Sequence, residues 1–415
     1  MTRSGDSPTA LRRTPSWGAM AAIGVAIALI VLVIVAISLR DQGGPPTGGE
    51  GPSVGVPSAS PSGSSSPAAE TPDATAQPSA SPPPEDFTQV ASFPGASAIA
   101  LTAWANGWVA IGQTNEDPPA VWLSADGVAW ESVGPTGLED GAINHIVAIP
   151  DGRLLAFGFR DNGSLGGIAE AWISTDGRDW QTTDLGIPDL VNAVDVAAGP
   201  LGFVMIGRAE LNAASRNEYA WYSESGLDWE RVWETVDDEI PAAVGAGPEG
   251  FVIVGQQGYE QGGDPIGVVL ASADGREWIE ASTDGPVSLG GMWSVVPIGG
   301  EWVATSLDVA DVHVLRSPNG LDWTIDTAFP GADSRRGGVA QLAGDGEFAL
   351  VSSILVPRTV LPVALYTDGS GWQDTKASAS SSIAAASRDG TTVLMLNTGL
   401  EDAPELQFWV AATPR

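Results

Sequence analysis

A short stretch that occurs in six copies decides the fold of this chain. It first reads AVWLSADGVAW (120–130) and returns as EAWISTDGRDW (170–180), YAWYSESGLDW (219–229), VVLASADGREW (268–278), HVLRSPNGLDW (313–323) and VALYTDGSGW (363–372). Successive closing tryptophans lie 45 to 50 residues apart, at Trp130, Trp180, Trp229, Trp278, Trp323 and Trp372. A period in this range is typical of proteins built from repeated four-stranded sheets.

The residues between these copies also repeat, as two apolar runs joined by a dipeptide that ends in glycine. The dipeptides are Asn106-Gly107, Asp151-Gly152, Leu201-Gly202, Glu249-Gly250, Gly299-Gly300, Asp345-Gly346 and Asp389-Gly390. Such pairs favour type I′ hairpin turns, in which both central residues have positive φ. Each unit is therefore predicted to form four antiparallel strands, A to D, placed in the first unit near 98–104, 108–112, 120–124 and 129–133.

The two ends of the repeat region complete each other. The last 35 residues supply strands A, B and C, and the missing D strand is found at the start, where EDFTQVASFPGAS (85–97) matches LDWTIDTAFPGADS (321–334) with Phe87 at the tryptophan position. We expect an all-β, seven-bladed propeller in which residues 86–92 pair with residues 407–412. Closing the ring removes exposed sheet edges, which otherwise promote aggregation.

Three segments are predicted before the propeller, which spans 86–415. Residues 17–39 carry no charge and are long enough to cross a bilayer as a transmembrane helix. Arg3, Arg12 and Arg13 precede them and predict a cytoplasmic tail at 1–16 and a single-pass cell-membrane protein with its propeller on the extracytoplasmic side. The alternative is a cleaved signal peptide. Residues 41–85, rich in Pro, Ser and Gly, are predicted to form a disordered stalk.

Composition excludes several classes of function. The chain has no cysteine, so disulfides and thiolate metal sites are excluded. Its formal net charge of −33 argues against nucleic acid as a partner, because phosphate binding needs clustered Lys and Arg. The expected partners are the membrane, through one helix, and an unidentified protein or glycan.

At its S-x-D-G-x-x-W segments the chain resembles the Asp-box, or BNR-repeat, β-propellers, which include sialidases, sortilin-type receptors and many bacterial proteins. The copies here are one residue shorter than the usual box, and Ser225 and Asn319 replace its Asp in two of them. A sialidase would need an arginine triad, a Tyr–Glu pair and an acidic proton donor. No such set can be assigned, and the F/Y-R-I-P motif is missing. The A strands are predicted to contain no Arg. No catalytic residue is therefore predicted.

Two sets of residues were candidates for a site. The six closing tryptophans are interpreted as structural, together with Trp122, Trp172, Trp221 and Trp409 on the C strands. The B–C connections, the longest and most variable, are predicted to form an acidic binding rim. They are placed at 113–119, 160–169, 208–218, 256–266, 307–312, 357–361 and 397–404. Its residues are Glu116, Asp117, Asp161, Glu210, Glu260, Asp264, Asp308, Asp311, Glu401 and Asp402, with Glu139, Asp140, Asp237, Asp238 and Glu239 from the D–A connections.

No cofactor is expected, and no metal ligand is predicted. The acidic rim suits Ca²⁺ or a basic partner, but no segment has calcium-loop spacing. His145 and His313, the two histidines, are interpreted as packed or surface residues. The function expected from sequence is a non-enzymatic binding or scaffold module for protein or glycan at the cell surface. The alternatives are a sialidase-like glycoside hydrolase and an assembly or stability factor for an envelope complex.

Overall fold

The computed structural model describes residues 87–412 with internal gaps. The gaps are 115–118, 139–140, 161–167, 188–189, 210–217, 236–238, 259–264, 283, 308–310, 331–338, 345–347, 355–360, 368–370, 380–382 and 401–402. Within the described part, no helix has the length and apolar character needed to cross a membrane. The predicted tail, transmembrane helix and stalk all lie outside the described residues, so they stay predictions.

The described residues form β-strands and one short 3₁₀ helix, Gly285–Leu289. The strands, numbered along the chain, are β1 Thr88–Pro94, β2 Ala96–Trp104, β3 Gly107–Thr114, β4 Ala120–Ser124, β5 Glu131–Val133, β6 Gly141–Ala148, β7 Leu154–Arg160, β8 Ile168–Ser174, β9 Trp180–Thr183, β10 Leu190–Gly199, β11 Gly202–Ala209, β12 Glu218–Ser223, β13 Glu230–Glu234, β14 Ile240–Gly247, β15 Gly250–Gln257, β16 Ile266–Ser272, β17 Ile279–Glu280, β18 Gly291–Ile298, β19 Glu301–Leu307, β20 Asp311–Ser317, β21 Thr324–Pro330, β22 Val339–Gly344, β23 Phe348–Ile354, β24 Leu361–Thr367, β25 Gly371–Ala379, β26 Ile383–Arg388, β27 Thr391–Leu400 and β28 Ala403–Ala412.

These strands form four-stranded antiparallel sheets arranged in a ring. Six sheets, called the first to sixth blades, are β2–β5, β6–β9, β10–β13, β14–β17, β18–β21 and β22–β25, each in chain order. A further sheet, called the composite sheet, has the order β1-β28-β27-β26. The innermost strands of neighbouring sheets contact each other all the way round, from β2 to β6 and finally from β26 back to β2. The fold is therefore an all-β propeller.

The count of blades expected from sequence is corrected by the strand order. Six blades, not seven, are continuous in the chain. The remaining sheet has only three strands from the C-terminal region and is completed by β1, which pairs antiparallel with β28 from Thr88↔Val410 to Pro94↔Glu405. The pairing of the chain ends, which the sequence predicted, is thus observed. The ring closes through hydrogen bonds between the two ends of the propeller.

Alternating side chains of the middle strands explain how neighbouring blades adhere. In β3, Val109 and Ile111 belong to a buried cluster that also contains Trp172 of the second blade. Ala110, which lies between them, belongs to a cluster with Phe408 of the composite sheet. Because successive strand residues point to opposite faces, one apolar run packs against both neighbouring blades. The near-continuous apolar sequence of each B strand follows from this double burial.

The predicted type I′ turns are mostly wrong. Among the described turns, both central residues have positive φ only at Gly299-Gly300 (56° and 82°) and Asp389-Gly390 (53° and 75°). At the other described dipeptides only the glycine does; Gly107, for example, has φ 132°. At 106–107, 201–202 and 249–250 the glycine pairs with the last residue of the A strand, as in Trp104↔Gly107, so the central residues of the turn are the two before it. The dipeptide therefore lies one residue later than a type I′ turn requires.

Two smaller expectations also need correction. The predicted B–C connection at 397–404 is largely strand, since β27 runs to Leu400 and β28 begins at Ala403. The statement that no A strand contains Arg is wrong as well, because Arg388 ends β26. Its guanidinium donates a hydrogen bond of 2.6 Å to the carbonyl of Trp104 in the first blade. This arginine therefore links two blades and is not free to bind a ligand carboxylate through that nitrogen.

Candidate functional site

In the five copies whose turn the structure describes, the Ser-Asp-Gly-Trp segments form the C–D turns, and their polar groups hold the turn itself. In the second blade, the buried Ser174 hydroxyl accepts a hydrogen bond from the Gly177 N–H (2.9 Å). The Asp176 carboxylate accepts the backbone N–H groups two and three residues further on, of Arg178 (2.8 Å) and Asp179 (2.9 Å). The Trp180 indole then donates to the Gly177 carbonyl (3.1 Å). The polar groups of the motif are therefore used inside the turn.

Substituted copies show which atoms the turn needs. Asn319 accepts the same two N–H groups through its amide oxygen, both at 2.9 Å, so it replaces Asp without loss of either bond. Ser225 accepts one, from Leu227 at 3.2 Å. Trp278 differs from its counterparts because its buried indole N–H has no hydrogen-bond partner among the described residues.

Hydrogen bonding also stabilises the ionised form of the turn aspartates. The backbone N–H of Asp179 is the main cause that lowers the pKa of Asp176 below its ordinary value. The N–H groups of Ala129 and Glu277 likewise lower the pKa of Asp126 and Asp274. Because the bonds favour the ionised form, these carboxylates stay charged at neutral pH.

The closing indoles lie at the interfaces between blades. Trp130 stacks on Phe408 of the composite sheet, with ring centroids 3.7 Å apart and planes 5° apart. Trp229 meets Phe157 of the second blade edge to face at 6.0 Å. On the C strands, Trp122, Trp172 and Trp221 are fully buried. Trp409 is only half-buried, and Phe408 is the fully buried aromatic of β28.

A pocket of about 450 Å³ opens on the turn face of the first blade. We call it the indole pocket. Its apolar wall consists of Trp104, Trp108, Trp130 and Leu123. Its polar rim consists of Asn106 and Glu131 of the first blade and of Asp176 and Arg178 from the C–D turn of the second blade. The volume lies within the roughly 300–1,000 Å³ of small-molecule sites, which are mainly apolar with a few polar groups.

Comparison with the third blade explains why this space is open. Leu123 faces Val109 in the strand register as Tyr222 faces Val204, so the two residues are equivalent. In the third blade the Tyr222 hydroxyl donates to the Leu201 carbonyl of the A–B turn (2.7 Å), and Arg276 of the next blade lies over its ring at 4.0 Å. Leu123 is shorter, so the space between the A–B turn and Arg178, the equivalent arginine, is not filled.

The rim is preorganised by an ion pair between two blades. The Arg178 guanidinium donates two hydrogen bonds to the Glu131 carboxylate, at 2.6 Å and 3.4 Å. These bonds lower the pKa of Glu131 and raise that of Arg178, so both groups are charged at neutral pH. With Asp176 also ionised, the rim carries two negative charges and one positive charge.

The acidic rim predicted from sequence lies almost entirely beyond the described residues. Of its B–C members, Asp311 alone is described: it begins β20 and is half-buried. Glu239 is the one described member from the D–A connections. The others lie in the gaps, so the acidic rim stays a prediction. Among the described residues, no group of three or more His, Asp or Glu side chains is arranged to hold a metal ion.

The innermost strands place a second polar contact at the channel wall. His145 lies in the middle of β6, and its Nδ1 is 3.5 Å from the Asp195 carboxylate of β10. The same carboxylate accepts the Val244 N–H of β14 (2.9 Å). Asp195 therefore connects three successive blades, which is a structural role.

A buried ion pair lies at the opposite end of the third blade from its C–D turn. Glu218, whose side chain is 4% exposed, accepts a hydrogen bond of 3.0 Å from Arg208. Burial raises the pKa of Glu218, outweighing the opposite effect of the guanidinium. Tyr219 follows it on the other face of β12, and its buried hydroxyl has no hydrogen-bond partner in the part of the chain that the structure describes. The two side chains point into different blade interfaces and do not form the Tyr–Glu pair of a sialidase.

The known proteins that this chain resembles share little of its sequence. No family model matches the chain, and no curated protein matches it. Among solved structures it is similar to a polysaccharide lyase, Uly1 (8% identity, 76% of this chain and 90% of that chain, TM-score 0.48). It is also similar to the Dos1 propeller (8%, 79% and 96%, 0.48) and to the fucose-specific lectin from Aleuria aurantia (14%, 72% and 99%, 0.41). At these identities the similarity concerns the fold, and the propeller assignment rests on the strand topology.

Proposed function

We propose that this propeller is a non-enzymatic carbohydrate-binding module and that the indole pocket holds the sugar. The observation that carries this proposal is the convergence of three indoles with Asn106, Glu131, Asp176 and Arg178 around one cavity. A pyranose ring has apolar C–H faces and a polar circumference of hydroxyls. It matches a cavity with an aromatic wall and a rim of hydrogen-bonding groups, because each hydroxyl removed from water needs a new partner.

Two of the three indoles suit this role because their N–H groups are already engaged. Trp108 donates to the Ala386 carbonyl (3.2 Å) and Trp130 to the Gly127 carbonyl (2.9 Å). These bonds fix the rings, so little side-chain freedom is lost on binding. The rings therefore contribute apolar contact, and the rim contributes the hydrogen bonds.

The sequence predicts that this module lies outside the cell. If residues 17–39 span the membrane and 41–85 form a stalk, the pocket would be displayed at the cell surface, where glycans are accessible. The Asp-box resemblance supports the same architecture without an enzymatic role. Sialidase-like hydrolysis remains the alternative, and the predicted acidic rim, together with Ca²⁺ or a basic protein partner, remains a second possible binding surface.

The third blade supplies a direct test. Leu123→Tyr should fill the indole pocket as Tyr222 fills its counterpart, with a side chain that the fold already accepts at this register. The full-length chain, in a detergent without a sugar headgroup, is screened against immobilised mono- and disaccharides. Binding to the sugars retained by wild type should fall at least tenfold in Leu123→Tyr and persist in the size-matched control Leu123→Met.

Loss of binding is meaningful only if the variant is folded, so its unfolding midpoint in urea is measured in parallel. Wild-type binding that Leu123→Tyr leaves intact would place the sugar elsewhere. Absence of wild-type binding across the panel would reject the proposed function. Turnover of a fluorogenic sialoside at enzymatic rates would favour the hydrolase alternative.

A further inference from the structure

The rim of the indole pocket carries an excess of negative charge. Its one described cation, Arg178, is held by Glu131 through two hydrogen bonds, at 2.6 Å and 3.4 Å. Asp176 adds a second carboxylate, one oxygen of which is occupied by the backbone of its own turn. A ligand therefore meets a guanidinium that is already neutralised and a carboxylate that is not.

The rest of the protein reinforces this charge. The formal net charge of the chain is −33. Such a field repels anions over about one Debye length, roughly 10 Å at 0.1 M salt. A carboxylate on the ligand would therefore face repulsion from the pocket and from the surrounding surface, and Arg178 would have to share its single positive charge between that carboxylate and Glu131.

From this arrangement we infer that the indole pocket selects pyranosides without a carboxylate and discriminates against uronic and sialic acids. The inference rests on the proposed function and names the ligand class of the same site. Hydroxyl hydrogens of an uncharged sugar can donate to Asp176 and Glu131, and its oxygens can accept from Asn106. A carboxylated sugar of the same shape loses these contacts near its charge.

Matched pairs of sugars test the inference on the full-length chain. Methyl glucoside, galactoside and mannoside are each compared with the corresponding methyl uronide, which differs only at C6. In 20 mM salt, the neutral member of the best-bound pair should bind at least about tenfold more tightly, as expected for one unscreened like-charge contact. The difference should shrink in 500 mM salt.

Two charge variants separate the pocket from the overall charge of the protein. Glu131→Gln releases Arg178 and removes the excess negative charge of the rim, so the preference for the neutral sugar should fall to less than threefold. Glu230→Gln is the matched control, because Glu230 begins β13 as Glu131 begins β5 and faces Arg276 at 3.8 Å in the third blade. It changes the net charge equally and should leave the preference unchanged.

The outcomes distinguish failure of the charge selection from failure of the proposed sugar site. If the uronide binds as tightly as the neutral sugar or more tightly, and Leu123→Tyr abolishes this binding, the charge selection is overturned and the sugar site is retained. A preference that Glu131→Gln and Glu230→Gln reduce equally also overturns it, since the pocket would then not be the cause. If no pair shows binding that depends on Leu123, the proposed function fails together with the inference.

Discussion

Asn397 holds the ring shut, and its replacement should destabilise the whole propeller. Its side-chain oxygen accepts the Ala98 N–H (2.9 Å), and its amide donates to the Ala98 carbonyl (2.6 Å). Ala98 lies on β2, the innermost strand of the first blade, which has a strand neighbour on one side only. Both residues are buried, at 0% and 3% exposure. The two bonds therefore satisfy backbone groups that water does not reach.

The expected loss follows from these two bonds. In Asn397→Ala both Ala98 groups remain buried without a partner, at a cost of about 1–3 kcal/mol each. Allowing for relaxation, the free energy of unfolding should fall by about 3 kcal/mol. The neighbouring variant Thr398→Ala removes one 3.3 Å bond to the Glu405 carbonyl inside the composite sheet and should cost less than about 1 kcal/mol.

Urea unfolding of the full-length chain, followed by tryptophan fluorescence, measures both variants. Hydrogen exchange of the β2 amides provides a local readout, because opening at this seam should expose them first. The reasoning is refuted if Asn397→Ala costs no more than Thr398→Ala, or if exchange in β2 is unchanged while stability falls.

Two further predictions concern glycine and charge. Gly112→Ala should lower the free energy of unfolding by at least about 2 kcal/mol in the same urea assay, because a Cβ there would lie 2.1 Å from the Ser97 carbonyl oxygen. The control Gly134→Ala, where a Cβ would have no atom within 4 Å, should be nearly neutral. Similar losses of stability in both variants would contradict the steric argument. Asp176→Asn should keep the turn, as Asn319 does, and remove only the charge. Since the folded pKa of Asp176 is lowered, its charge stabilises the fold above the unfolded pKa of about 4, and this contribution is lost as pH falls through the folded pKa. At pH 7 the free energy of unfolding of wild type should therefore exceed that of Asp176→Asn by less than about 1 kcal/mol, and near pH 2 the difference should disappear. Urea unfolding at each pH measures this difference. A difference that grows on acidification would contradict the lowered pKa of Asp176.

The cavity of the indole pocket could not be predicted from the sequence alone. Of the three tryptophans that line the indole pocket, Trp130 was visible as part of the repeat, and the repeat was interpreted as packing between blades. Nothing in the spacing showed that Leu123, where the third blade has Tyr222, would leave a cavity beneath Arg178. That difference becomes informative only once the strand register makes the two residues equivalent, although the alternation of Arg and Leu after the box glycine (Arg178, Leu227, Arg276, Leu321) was a signal in the sequence.

Turn geometry shows a similar limit. Glycine-ending dipeptides marked every described A–B and C–D turn, but they did not determine the turn type. At Asp126, Asp176 and Asp274 the carboxylate binds backbone N–H groups two and three residues ahead, and this bonding replaces the type I′ geometry. Alternative turn conformations, each with its own local hydrogen bonds, differ little in free energy, so the dipeptide sequence does not show which one forms.

The sequence by itself determined the repeating four-stranded unit, because alternating apolar residues and periodic turns are local properties that each blade carries within about 50 residues. It also determined which chain ends pair, through the match of 85–97 with 321–334. Only the tertiary structure decided how the blades adhere and where a cavity remains. Those features depend on contacts such as Asn397 with Ala98 and Arg178 with Glu131, between residues 299 and 47 positions apart, and side-chain volumes meeting across an interface leave no local pattern in the sequence.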